Sequence, residues 1–124
     1  MPTPSKISNI GAMNEFVPPF DVTSRLTDQR YQCRFSHMCN GIATRHSDTI
    51  DTKFFVDGRG VVVGLAHTAF VDFRARAGRD LSDREASHIA ARALCERLEQ
   101  EEERDLYDVS AADVLRFINF LGIR

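Results

Sequence analysis

The chain reads as an α+β domain, with a small antiparallel sheet of about three strands packed against two to three C-terminal helices. Three observations predict it. Residues 82–98 carry apolar side chains at three- and four-residue steps behind a capping box. Residues 51–65 set aromatic and β-branched runs on either side of Asp57-Gly58. Tyr31 to Cys39 alternates with a period of two.

The helix is the best-specified element. Ser82 with Glu85 three residues on is a capping box, and Asp83 and Glu85 place negative charge at the positive end of the helix dipole. Ala86, Ile89, Ala90, Ala93, Leu94 and Leu98 share one face. That face is rich in small residues, so whatever packs there approaches closely. Glu99 to Glu103 crowd the negative end, and the helix is expected to run on to about Arg104.

An Asp-Gly pair supplies the two positive φ values of a type I′ turn, so 51–65 is a hairpin. Phe54, Val56, Val61, Val63 and Leu65 then share the face turned to the helix, with Phe55 and Val62 on the other side. In the strand before it, Tyr31, Cys33, Phe35, His37 and Cys39 are expected to face one way. Asn40-Gly41, Ser47 and Asp48 mark the loop between them. Residues 67–78 fit a short helix with Thr68 as cap and Gly78 as stop, with a strand as the competing reading. Ser110 begins a last helix that buries Val114, Leu115, Phe117, Ile118 and Leu121 and ends at Gly122. Residues 21–29 suggest a turn or a short helix.

Residues 1–20 hold all four prolines and read as an irregular N-terminal arm anchored by Phe16, Val17 and Phe20, with Met13 an alternative start. Residues 21–124 read as a single α+β domain. A chain of 124 residues with 43% hydrophobic and 27% charged residues has the composition of a soluble globular protein. No apolar run approaches the roughly 20 residues of a membrane span, and no signal-peptide pattern opens the chain, so a cytoplasmic location and no membrane partner are expected. The three cysteines fit no disulfide framework.

The net charge of −2 is unevenly spread. Residues 81–124 carry ten acids and six arginines, and residues 1–80 carry eight acids and ten bases. The densest acidic run is Glu99, Glu101, Glu102, Glu103, Asp105 and Asp108. Like charges packed together carry a folding cost that a basic partner would relieve. Arg59, Arg74, Arg76 and Arg79 form the contrasting basic cluster, with Arg84 beside it. Arg matches phosphate geometry, but Asp72, Asp80 and Asp83 dilute the cluster, so direct nucleic-acid contact is not favoured. Cys33, His37 and Cys39, with His46 in the following loop, are zinc-ligand types at a spacing of no established finger. Core packing explains the cysteines better, and no metal or other cofactor is expected.

Three resemblances add to this. The segment FFVDGRGVVVGLAHTAF through EASHIAARALCERL resembles small bacterial domains of unknown function, in which a hairpin bearing "DG" leads to a small helix and a longer one. That resemblance implies an α+β fold and no activity. SDREASHIAARALCERL is similar to the last helix of double-stranded-RNA-binding domains, with Asp83-Arg84 in place of the expected Lys-Lys and no first helix. In size, mild acidity and lack of a catalytic motif the chain is similar to phage-encoded inhibitors, anti-CRISPR proteins included.

The expected function is that of a non-enzymatic inhibitor or accessory regulator that binds another protein or a basic nucleic-acid-binding complex. Its contact surface would be the acidic run together with Phe117 and Phe120 of the last helix, where a homodimer is also compatible. The alternatives are a nucleic-acid-binding module using the arginine cluster, and a zinc- or thiol-dependent enzyme at Cys33, His37 and Cys39.

Overall fold

Two successive positive φ values, 51° at Asp57 and 84° at Gly58, close the hairpin around which the sheet is built. The computed structural model describes residues 14–39 and 49–124. Among these, the elements in chain order are β1 (Phe20–Thr23), β2 (Arg30–Cys39), β3 (Thr49–Val56), β4 (Arg59–Ala66), α1 (His67–Ala77), α2 (Asp83–Glu99), β5 (Leu106–Val109) and α3 (Ala111–Leu121). The sheet order is β1-β2-β3-β4-β5. The first four strands are antiparallel neighbours, and β5 lies parallel to β4. A parallel pair needs a long crossover, and here α1 and α2 supply it.

The α+β class is as expected, but the sheet has five strands rather than about three. The two extra strands, β1 and β5, are four residues each. β5 sits inside the acidic segment, where Tyr107 and Val109 alternate inward between exposed Leu106 and Asp108. Asn40-Gly41, Ser47, Asp48, His46, Met13 and the first part of the arm lie outside the described residues. Residues 14–19 are irregular as expected. Phe16 stacks on Phe35 with ring centres 5.0 Å apart, and the Val17 N–H donates to Ser87 Oγ at 3.0 Å.

All helices lie on the face of the sheet formed by Val22, Tyr31, Cys33, Phe54, Val56, Val61, Val63, Leu65, Tyr107 and Val109, each of which is buried in the core. Against them α2 sets Ala86, Ile89, Ala90, Ala93, Leu94 and Leu98, α1 sets Ala69 and Phe73, and α3 sets Val114, Phe117 and Ile118. The hairpin's sidedness is therefore as its alternation predicts.

The alternation of β2 is not. Its register with β3 shifts between Phe35 and His37. The extra residue at this β-bulge puts Met38 rather than His37 on the core side. His37 and Cys39 consequently pair with Lys53 and Asp51 on the opposite face from Cys33 and Phe35. A bulge leaves no mark in an alternating pattern, so the strand reads as straight.

At the start of α2, Ser82 Oγ accepts from the Glu85 N–H at 3.0 Å, and Glu85 accepts from the Ser82 N–H at 2.9 Å. The helix stops at Glu99, five residues short of the expected end. Glu101 turns the chain with a φ of 58°, and its side chain is anchored elsewhere in the molecule. Residues 67–77 are helical, but no side chain caps them and Thr68 lies inside the helix. Gly78 and Gly122 end α1 and α3 in the left-handed conformation. Ser110 caps α3 by accepting from the Asp113 N–H at 3.2 Å.

Two substitutions separate cap from core. Ser82→Ala should lower unfolding free energy by about 1 kcal/mol. Leu94→Ala, which opens a cavity between α2 and the sheet, should lower it by about 2–5 kcal/mol. Urea unfolding of the two variants checks the order, and equal losses would mean that α2 does not carry the core.

Candidate functional site

Most of the acidic run is partnered within the molecule. Glu99 accepts from Arg25 Nε at 3.2 Å, and Glu101 accepts from both Ser24 Oγ and Thr27 Oγ1 at 2.5 Å. Glu102 pairs with Arg97 at 3.1 Å and Arg104 at 2.9 Å. Glu103 takes the Tyr31 hydroxyl at 2.7 Å, and Asp105 takes Arg59 at 3.2 Å. The Asp108 carbonyl receives Arg97 Nη2 at 3.5 Å. These contacts clip the β1–β2 loop and the start of β2 to the segment at the C-terminal end of α2. The two hydroxyl bonds hold the Glu101 carboxyl below its ordinary value. Burial first, then the Glu103 bond and charge, push the Tyr31 phenol up.

The expected arginine cluster is not one surface. Arg59 is tied to Asp105, and Arg74 to Asp80 at 2.7 Å. Arg79 is a structural hub: it forks onto both Glu85 oxygens at 2.9 Å, donates to the carbonyls of Asp80 and Arg124, and lies 5.1 Å from the Phe73 ring centre. Arg84 covers the Phe16 ring at 5.1 Å. Arg76 alone of the four faces a groove, described below.

The cysteine–histidine reading separates in the same way. Cys33 lies on the core face, His37 and Cys39 on the other, and His46 lies outside the described residues. Among the described residues no group of three or more His, Cys, Asp or Glu is assembled. Burial pushes the Cys33 thiol up to about 12 and the Cys95 thiol up to about 11, so both stay protonated at neutral pH.

Two surfaces remain with side chains that the fold does not use up. The first lies on α3. Phe117 is buried in the core at 2% exposure, whereas Phe120 is 65% exposed. The Arg92 guanidinium from α2 sits 4.6 Å from the Phe120 ring centre. Arg116, Glu96 and Asp113 form a paired charge network beside it. Across the crest of α3 is a groove of about 380 Å³ lined by Phe73, Arg76, Ala77, Ile118, Asn119, Ile123 and Arg124.

The second surface is part of the sheet face opposite the described helices, at the end away from Asp51, which is 2% exposed. Arg34 lies 4.4 Å and Lys53 Nζ lies 5.7 Å from the Phe55 ring centre, beside a groove of about 320 Å³. The sequence pattern does not single these residues out. Hairpin pairing places Phe55 and Lys53 on one face, but Arg34 joins them only through the β2–β3 register.

No family model, curated protein or solved structure matches the chain. No helix among the described residues is long and apolar enough to cross a membrane.

The carboxyls of Glu85 and Glu101 give a pH test. Burial alone would raise Glu85, but the Arg79 fork and the Ser82 N–H and hydroxyl outweigh it and hold the group low. A carboxyl lowered by folding stabilises above its unfolded pKa, and that contribution is lost as pH falls through the lowered value. Stability should therefore fall on acidification below about pH 4.3, the unfolded carboxylate range. A Glu85→Gln, Glu101→Gln double variant should be less stable near neutrality and show a shallower acid slope. Urea midpoints measured across that range check it, and parallel curves for the two proteins would refute it.

Proposed function

We propose that the chain is a non-enzymatic binding protein that acts on another protein or complex as an inhibitor or accessory regulator, docking through the α3 ridge. The observation that carries this reading is Phe120, a large aromatic 65% exposed on the outer side of an amphipathic helix and held by Arg92. Exposed aromatic and arginine side chains are the types that dominate protein–protein contact energies. Fold stability gives no reason for the pair. Arg92 Nε is shut off from solvent without an acceptor, a condition that costs about 1–3 kcal/mol.

The acidic run is a poorer docking surface than its density suggests. Arg25, Arg59, Arg97 and Arg104 already neutralise much of it, and Ser24, Thr27 and Tyr31 take further carboxylates. Phe117 acts from the core, so the contact passes from the Phe117 and Phe120 pair to Phe120 with Arg92 and the neighbouring groove. The likeness to phage-encoded inhibitors in size and mild acidity fits this class.

The test compares wild type with Phe120→Asp as immobilised baits in nuclease-treated host lysate. A discrete protein should be enriched on wild type and fall at least about tenfold on the variant, equivalent to about 1.4 kcal/mol. The two baits should melt within a few degrees of each other. Capture equal on both baits, or none on either, would overturn the reading. Solution mass of both proteins over a range of concentrations shows whether the partner is a second copy.

A further inference from the structure

Every helix among the described residues packs on one face of the sheet, and the opposite face carries two adjoining cross-strand rows. One row is Arg34–Phe55–Gly60, and the next is His37–Lys53–Val62–Leu106. Neither row contains a carboxylate. Asp21 lies beyond one border, and Asp51 and Asp108 lie beyond the other.

Arg34 and Lys53 both bear on the Phe55 ring, and among the described residues neither has a carboxylate partner. Eight other arginines among the described residues are paired with carboxylates, and Arg84, on the Phe16 ring, is a further one with a ring contact and no ion pair among those residues. Gly60 makes room for the arrangement. A Cβ there would fall 2.8 Å from Lys53 Nζ and 2.9 Å from its Cε, so only glycine lets the lysine tail lie across the strand beside Phe55. The adjoining groove has Arg34 and Phe55 in its wall. Two carboxylates also line it: Asp57, which accepts from the Gln32 N–H at 2.9 Å, and Asp21. Past Lys53 the rows continue as apolar surface through Val62 to Leu106, which is 37% exposed.

Unpaired cations gathered on an aromatic ring, with apolar surface beside them, match a ligand that alternates phosphate with flat rings. We propose that these two rows of the sheet face bind single-stranded nucleic acid. Arg34 and Lys53 take successive phosphates, and bases lie against Phe55 and along Val62 and Leu106. The proposal is independent of the α3 docking ridge, which lies on the helical side of the molecule.

Fluorescence anisotropy tests it with the full chain. The probes are a labelled mixed-sequence single-stranded RNA of about 20 nucleotides, its DNA counterpart, and a labelled polyglutamate peptide of about the same length. RNA or DNA should bind. Two phosphate contacts predict an affinity loss of about sevenfold between about 50 and 200 mM salt. Arg34→Gln with Lys53→Gln should weaken binding about tenfold or more and flatten that salt dependence, with the melting temperature held. Gly60→Ala, which displaces Lys53 while keeping every charge, should weaken binding partially. Three outcomes overturn the proposal: no oligonucleotide binding at about 100 μM protein, binding unchanged in the double variant, or polyglutamate bound as tightly as RNA, which would assign the face to an acidic protein.

Discussion

The placement of α2 is the constraint on which the other elements depend. Its apolar stripe is made largely of alanine, so the helix sits close over β1, β2 and β4. Close seating leaves little tolerance for rotation or sliding, and both ends are fixed by charge. At the N-terminal end the Ser82–Glu85 capping box is completed by the Arg79 fork, which also reaches the Arg124 carbonyl and so ties the end of the chain to the start of the helix. At the C-terminal end Glu99 and Glu101 draw in the β1–β2 loop, while Glu103 takes Tyr31 on β2. With α2 fixed, the chain leaving it passes along β4 as β5, and α3 closes over the remaining core.

The acidic run therefore has a structural use that its composition conceals. Six acids in ten residues look like a surface awaiting a basic partner. Four of them, Glu99, Glu101, Glu103 and Asp105, find partners in Ser24, Arg25, Thr27, Tyr31 and Arg59, far away in the chain, while Glu102 pairs with nearby Arg97 and Arg104. Local charge density reports the repulsion among neighbours but not the cations and hydroxyls that topology brings in. Glu101 shows the balance directly. It adopts a positive φ that disfavours a side chain, and two hydroxyl bonds to its carboxylate accompany that conformation.

What was legible in the sequence follows the range of the interaction that specifies it. The capping box, the Asp-Gly turn, the two helix-ending glycines and the hairpin faces are set within a few residues, and all appear where the pattern puts them. The five-stranded sheet was not legible. β1 and β5 are only four residues long, and β5 exists because it can lie beside β4 after a crossover of two helices. The bulge in β2 is likewise a property of its pairing with β3, and it alone separates Cys33 from His37. The arginine cluster failed for the same reason as the acidic run. Arg79 lies near Arg74 and Arg76 in sequence, but its partners are Glu85 and the Arg124 carbonyl.

The two surfaces proposed for binding share a physical property. The fold pairs most of its charges internally, so the cations it leaves on aromatic rings are informative. Arg79 over Phe73 and Arg116 over Phe117 are also engaged by carboxylates, and both stack on rings that belong to the core. Arg34 and Lys53 have Phe55 and no carboxylate among the described residues, and Arg92 has Phe120 with a carboxylate only at 3.7 Å. A cation on an aromatic ring keeps its full charge, so it is held in position without being neutralised. Arg34 and Lys53 can add a phosphate without first breaking an ion pair to a described residue, whereas Arg92 keeps its i,i+4 contact with Glu96. One of these sites lies on the sheet face opposite the described helices and the other on the helical layer, so occupation of either leaves the other sterically open.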